Sequence, residues 1–430
     1  MSDPLKVGIA GLGTVGGGVV KILAEHSDLL AKRCGRTIEL GGVSALEMPG
    51  DLKNMLAGVP WYDNALDMAK ADAIDVVVEL IGGSDGIAKA VVETALGAGK
   101  SVVTANKALI AHHGLELGKS AEVNGGVLAF EAAVAGGIPI LKAIRESLAA
   151  NQLHTVYGIL NGTCNYILTE MEQTGRDFAD VLAEAQALGY AEADPSFDVD
   201  GIDSAHKLAI LTSLSFGCPI DFDQVYVEGI RNITSMDIGF ASELGYRIKL
   251  LAITKRTNGG VLQRVHPCMI KLDSPIASVY GVINAVVAEG DFVGRTVYEG
   301  AGAGERPTAS AVVADLVDIA RGISAPAFSV PVEYLEDLPE QPMESNSGTF
   351  YLRLMVVDES GVLAKVSEFL RDEGVSIETV LQRGRAPGET VPLILVTHEA
   401  EEAAMARVRA QLKTMAEVVE DPTLIRIEPL

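Results

Sequence analysis

The sequence predicts an α/β protein with a doubly wound parallel sheet at its N-terminus, an α+β unit in the middle and a ferredoxin-like βαββαβ unit at its C-terminus. Three observations carry this reading. Short β-branched runs alternate with helical stretches over residues 1–135. A Gly-x-Gly-x-x-Gly run, Gly11 to Gly16, follows the first apolar run directly. A second strand–helix rhythm starts at 349, after a stretch at 331–348 rich in Pro, Glu, Ser and Gly, which is a linker composition. The expected units are therefore 1–135, 136–300, a linker at 331–348, and 349–430, with 300–330 returning to pack on the first unit.

Residues 5–10 are an apolar run with β-branched members and read as a buried strand. A helix is expected over 17–24 and a second strand over 38–45. Residues 74–81 read as a third strand and 101–104 as a fourth, with helices at 87–98 and 109–124 and a last strand at 127–132. Past residue 136 the alternation stops. Gly136, Gly137, Ile138 and Pro139 open a helix expected to reach Leu148. Helices are expected at 165–174, 178–188 and 204–216, and strand-like runs at 250–255, 267–270 and 281–287. Residues 308–321 form an amphipathic helix. In the tail, strands at 351–357, 376–382, 391–397 and 424–427 enclose helices at 361–371 and 401–415.

Composition narrows the function. Of 430 residues, 48% are hydrophobic and 21% charged, as in a globular protein. The net charge of -24 disfavours nucleic acid or an anionic membrane surface as partner. A phosphate-bearing ligand must then be held by local amides and a few local cations. Cys34, Cys164, Cys218 and Cys268 form no CxxC pair, which fits a reduced compartment without a disulfide framework. No basic segment with an apolar run opens the chain, and no apolar run reaches spanning length, so a cytoplasmic enzyme is expected.

The glycine run has the context that a dinucleotide site requires, a strand before it and a helix after it. Gly11 permits a tight turn, Gly13 a close approach of backbone to pyrophosphate, and Gly16 close packing of helix on strand. Thr14 and Val15 open the helix, whose N-terminus faces an anion. This is the Rossmann-type arrangement. The loop after the second strand, 44–48 (SALEM), sets the choice between NAD and NADP. Glu47 suits a ribose diol, no arginine is present for a 2′-phosphate, and Lys53 is the nearest cation. The loop leans towards NAD or dual use. Glu47 pointing to solvent is the equally weighted alternative.

Lys107 closes the run 104–107 (TANK) at the C-terminal edge of a parallel strand, where ligands of open α/β sheets bind. It suits a carbonyl oxygen or a carboxylate, and a plain surface lysine is the alternative. The block 189–210 sets five acids around one lysine. Asp203 and Lys207 are four residues apart, so a helix puts them on one face with the acid first. Lys207 precedes an apolar segment, where a charge is costly unless paired. Asp203 with Asp200 as cap is the plainer reading, as is a Lys207 that snorkels to solvent. Glu192, in a loop beside Pro195, suits a substrate ammonium or simple solvation. Cys164 stands at a helix start, a position that lowers thiol pKa, and a thiol route would need a base such as His154 or His206.

Taken together, these motifs resemble homoserine dehydrogenase. The resemblance spans almost the whole chain. It rests on the glycine loop, 79–83 (ELIGG), 104–107, 131–139 (EAAVAGGIP), 161–168 (NGTCNYIL), the 189–211 block, 302–304 (GAG) and 307–313 (PTASAVV). It implies reduction of L-aspartate 4-semialdehyde to L-homoserine by NAD(P)H, a step towards threonine, methionine and isoleucine. It further implies Lys207 as acid/base with Asp203 and Lys107 assisting. Glu192 and Asp198 would bind substrate. Gly11, Gly13, Thr14, Val15, Gly16, Thr104, Lys107 and Gly304 would bind cofactor. The middle unit would carry catalysis and dimerisation, as a homodimer or homotetramer. A monovalent cation, Na+ or K+, would be held mainly by backbone carbonyls of Glu131, Val134, Gly136 and Ile138. Leu46 departs from the family, many members of which carry arginine there, and so does the charged pair Glu305 and Arg306.

The tail resembles an ACT domain through 358–364 (DESGVLA), which matches the turn between first strand and helix. Threonine is the effector that this implies, and a ligand-free dimerisation module is the alternative. Two other functions compete with the first: a thiol-dependent semialdehyde dehydrogenase using Cys164, and a sensor that binds threonine without turnover.

Overall fold

In the first strand, β1 (Leu5–Ala10), every residue except Lys6 is buried, as a strand covered on both faces requires. The protein is described here by a computed structural model covering residues 3–383 and 387–430; Met1 and Ser2, at the start of the expected first unit, lie outside the described residues. With β2 (Ile38–Ser44), β3 (Val76–Glu79), β4 (Ser101–Thr104) and β5 (Leu128–Ala129), β1 builds an all-parallel sheet of order β2-β1-β3-β4-β5. The order reverses between β1 and β3, which opens a crevice at the C-terminal ends of these strands. Helices α1 (Thr14–Glu25), α2 (Ser27–Cys34), α3 (Ala65–Lys70), α4 (Ile87–Gly97) and α5 (Lys107–Asn124) connect the strands. The expected strand at 127–132 shortens to two residues, because Glu131–Ala133 turns into a 3-10 helix.

The middle unit departs most from expectation. The helix expected from 136 to 148 is broken. Ala135 (φ 54°) and Gly136 (φ 45°) are left-handed, so no helix passes through them. Only α6 (Ile140–Lys142) forms, followed by a π-helical turn at Ala143–Ser147. Next come β6 (Leu153–Ile159), α7 (Gly162–Thr174), α8 (Phe178–Ala187), α9 (Ser196–Val199), α10 (Ile202–Phe216), β7 (Tyr226–Val227) and α11 (Ser235–Glu243). The strands expected at 250–255 and 267–270 are the middles of a long hairpin. β8 (Tyr246–Thr257) and β9 (Gly260–Lys271) pair from Tyr246↔Lys271 to Thr257↔Gly260. Asn258 and Gly259 form its tip, a strong hairpin signal in the sequence. β10 (Ile283–Gly290) pairs with the largely exposed edge strand β11 (Gly294–Ala301). α12 (Glu305–Ala320) then returns to α1, and a Cβ on Gly18 would stand 2.9 Å from that of Ala309.

Residues 331–348, expected as a linker, are laid against the middle unit. The Glu336 N–H donates to the Gly217 carbonyl (2.8 Å), and the Val261 N–H to that of Pro339 (2.9 Å). The tail is β12 (Ser347–Val357), α13 (Val362–Asp372), β13 (Ile377–Gln382), β14 (Thr390–Thr397), the short β15 (Ala400–Glu401), α14 (Glu402–Leu412) and β16 (Thr423–Glu428). Its antiparallel order β16-β12-β14-β13 is that of a split βαββαβ unit. β16 also pairs in parallel with β9, so middle and tail share one mixed sheet.

Candidate active site

The nucleotide half of the site starts at the end of β1. Gly11 holds φ +101°, and a Cβ there would lie 2.5 Å from the Leu80 carbonyl oxygen. A Cβ on Gly16 would lie 2.0 Å from the Gly11 carbonyl oxygen. Both positions therefore need glycine for packing. Gly13 differs: a Cβ there would meet open space, and as N-cap of α1 it leaves the helix without a side-chain cap. An uncovered helix N-terminus beside open space is what a pyrophosphate needs, so these residues fit a dinucleotide.

Glu79 organises the neighbouring loops. Fully buried, it accepts from the N–H groups of Ile81 (2.7 Å) and Gly82 (3.1 Å) and from the Thr104 hydroxyl (2.7 Å). Thr104 in turn accepts from the Asn106 N–H (2.9 Å), so its hydroxyl supports the cleft from behind rather than facing a ligand. Asn106 caps α5 and ties it to the Gly83 carbonyl (2.6 Å). That cap fixes Lys107, the first residue of α5, at the mouth of the crevice.

The other half of the cleft is built on α7 and α10. Asn161 caps α7, accepting from the Cys164 N–H (2.8 Å). Its amide donates to Asp198 (2.7 Å) and Asp203 (2.8 Å). Asp203 lies in the first turn of α10, behind the left-handed N-cap Gly201. The expected Asp200 cap is not formed; Asp200 pairs with Arg231 instead. Lys207, one turn on, is buried rather than snorkelling. It donates to Asp203 Oδ2 (2.7 Å) and to the Leu160 carbonyl (2.7 Å). Lys107 Nζ stands 3.2 Å from Asp203 Oδ1. One carboxylate thus bridges two ammonium groups from different units.

Burial works against the charge on Asp203, but the fields of Lys207 and Lys107, with hydrogen bonds from Lys207 and Asn161, outweigh it and hold the carboxyl at about 2. Asp198 moves the other way: burial and the nearby Asp203 charge raise it. Lys107, Asp198, Asp203 and Lys207 line one cleft of about 600 Å³ with Val15, Gly136 and Gly304. The cleft lies where the parallel sheet meets the middle unit.

Other expected residues fall elsewhere. Glu192 is exposed and outside this lining, although Gly189 and Tyr190 of the same segment belong to it. Thr14 is exposed at the start of α1. Glu47 and Leu46 are exposed after β2. Arg306 borders a separate groove between α1 and α12. Glu131 is buried, and its carboxylate accepts from the N–H groups of Leu141 (3.0 Å) and Lys142 (2.8 Å). Burial, with Asp315 close by, raises it to about 7. The Ile138 carbonyl accepts from the Ile140 N–H (2.8 Å).

Cys164 does not behave as the rival thiol route requires. It is fully buried, and burial followed by Asp198 and Asp203 pushes its thiol well above the usual range. Its Sγ donates to the Asp198 carbonyl (3.2 Å). His206 turns to His112 instead (3.3 Å), and His154 lies exposed on β6. Asn161 and Glu79 were not singled out as site residues from sequence. Asn161 carries a usable signal, an Asn placed as N-cap before an apolar helix.

Comparison with known proteins agrees with this geometry. The pattern of the homoserine dehydrogenase family matches residues 139–317, and that of the homoserine dehydrogenase NAD binding domain matches 11–131. A homoserine dehydrogenase of Pseudomonas aeruginosa is 49% identical, covering 99% of both chains. The chain belongs to the homoserine dehydrogenase family. A homoserine dehydrogenase structure from Thiobacillus denitrificans superposes with a TM-score of 0.93 at 44% identity, covering 99% of this chain and 98% of that one. A hyperthermophilic archaeal homoserine dehydrogenase in complex with NADPH covers 73% of this chain and 97% of its own, with a TM-score of 0.63 at 28% identity. As a homoserine dehydrogenase the protein is an oxidoreductase acting with a nicotinamide dinucleotide.

Proposed function

We propose that this homoserine dehydrogenase reduces L-aspartate 4-semialdehyde reversibly to L-homoserine, with Lys207 as acid/base. The observation that carries the proposal is the Lys107–Asp203–Lys207 bridge inside the cleft. The nicotinamide cofactor, when bound, supplies or accepts the hydride. In reduction, the Lys207 ammonium gives its proton to the carbonyl oxygen as that oxygen gains charge. Asp203 orients Lys207 and balances its charge. Lys107, on the opposite side of Asp203, polarises the same oxygen. Oxidation of homoserine runs the proton backwards and needs a neutral Lys207.

Asp198, lining the cleft, and Glu192, at the rim, are assigned to the substrate ammonium. Gly11, Gly13, Thr14, Val15, Gly16 and Gly304 form the cofactor cradle, with Thr104 supporting it. The exposed acid Glu47, and a 44–48 loop without arginine, favour NAD or dual use. A monovalent cation, Na+ or K+, is assigned to the carbonyls of Glu131, Val134, Gly136 and Ile138. The consecutive left-handed residues Ala135 and Gly136 support a backbone held for that purpose, since a non-glycine residue in this region costs about 1–2 kcal/mol.

The βαββαβ tail is assigned as an ACT domain sensing threonine, in a cytoplasmic homodimer or homotetramer serving threonine, methionine and isoleucine synthesis. The test is formation of reduced cofactor from L-homoserine, with NAD and NADP offered separately and threonine added to matched samples. Turnover by the wild type and its loss in folded Lys207→Ala is the expected result. Undiminished turnover in Lys207→Ala would remove Lys207 from the mechanism.

A further inference from the structure

A second cluster of chemically versatile side chains lies away from the cleft, where the tail joins the middle unit. His266 and Cys268 are two residues apart on β9 and therefore share a face. Glu428 on β16 pairs with Ile270 of β9, which puts it on that same face. One donor atom from each of the three lies within 4.8 Å of the other two. His266 and Cys268 are fully buried, and Glu428 is 7% exposed.

The contacts within the cluster are incomplete. His266 Nδ1 lies 3.2 Å from Cys268 Sγ. His266 Nε2 has no hydrogen-bond partner, with Glu428 Oε1 3.9 Å away. Arg264 takes the other Glu428 oxygen (2.9 Å), while its own Nε and one terminal nitrogen stay unpartnered. Buried polar atoms are nearly always paired, so an orphaned imidazole nitrogen calls for an explanation.

We propose that His266, Cys268 and Glu428 form a binding site for a divalent transition metal of the zinc class, joining the tail to the middle unit. The donor set of imidazole, thiolate and carboxylate suits such an ion. Usual zinc–ligand lengths imply donor separations of about 3.3–3.6 Å, so the three donors, which lie within 4.8 Å of one another, close on the ion by roughly 1 Å. Charge favours loading. Arg264 and Arg426 face Glu228, Glu402 and Glu428, one negative charge in excess. Binding breaks the Cys268 S–H bond, forms a sulfur–metal bond and releases the proton to solvent. The ion brings two positive charges and the thiolate one negative, which makes the cluster neutral. Glu428 and Arg426 also line a cavity of about 390 Å³ between tail and middle unit, which supplies a route of entry.

The test uses full-length protein purified without a metal-affinity step, stripped with chelator, and titrated with Zn2+ and separately with Co2+. Metal content is read by mass spectrometry and thiolate ligation by the cobalt charge-transfer band. The expected result is one equivalent per chain with a thiolate–cobalt band, the band being lost in Cys268→Ser and the equivalent lost in His266→Gln. Glu428→Gln, which keeps the side-chain shape, is read in the same way if either variant fails to fold. Sub-stoichiometric uptake by folded wild type at saturating Zn2+ would overturn the site, and so would full uptake retained by the variants.

Discussion

Two buried aspartates of this molecule hold cations and do different work. Asp203 lies between Lys107 and Lys207 at the cleft. Asp237, on α11, grips Arg353 of the tail, with Oδ1 at 2.6 Å and Oδ2 at 3.2 Å, and accepts from the Tyr351 hydroxyl (3.1 Å). Asp237 is also the third residue of a capping box with Thr234. The geometry around the two carboxylates is similar, and the cations decide the outcome. A guanidinium stays charged and binds in a fixed fork, which suits a clamp. An ammonium is compact and can give up its proton, which suits chemistry. The first aspartate lines a cleft and the second a closed seam.

Exchanging the cations breaks the comparison most sharply. Lys207→Ala should lower turnover by about 10²–10⁴-fold while the protein stays folded. Lys207→Arg should fail to restore it, because arginine keeps the charge but does not release the proton. Steady-state rates of both variants, with circular dichroism alongside, check this. At the seam the expected damage is to stability. Arg353→Met leaves Asp237 buried without its cation and should cost about 3–5 kcal/mol in denaturant unfolding. Turnover of the fraction that remains folded should hold.

Acid probes the cleft side of the comparison. The folded carboxyl of Asp203 at about 2 is below its ordinary value of 3.8, so its contribution is fully present above about pH 4 and fades as pH falls through about 2. The difference amounts to about 2 kcal/mol. Unfolding measured from pH 5 downward should show that loss in the wild type and not in Asp203→Asn. His206 acts in a milder window. Burial, followed by the nearby His112 and Lys107, lowers it to about 4 from 6.5. Its contribution is present above about pH 6.5 and fades as pH falls towards 4, and His206→Gln should flatten that part of the stability curve. The smallest effect belongs to Cys164→Ser, which should change turnover by less than about twofold, because a thiol held protonated does no nucleophilic work.

The contrast also marks what the sequence made legible. Periodicity located the parallel sheet, since β1 and β3 are short buried runs bounded by glycine. It located α10 and the i,i+4 pair of Asp203 and Lys207. It did not find β6 or β11; β11 is an exposed edge strand with no apolar run to read. The break at Ala135 and Gly136 was hidden because backbone sign is not written in alanine. Lys107 and Lys207 were legible one at a time, but their meeting at one carboxylate depends on how two units dock. Asn161 and Glu79 act through hydrogen bonds between distant loops, which spacing along the chain does not encode. The Asp237–Arg353 clamp joins residues 116 apart for the same reason.

The most direct test of the central claim is the pH dependence of L-homoserine oxidation by the wild type. A proton taken up by neutral Lys207 predicts a rate that climbs as pH rises from neutral into the alkaline range. A flat profile across that interval would contradict Lys207 as the acid/base.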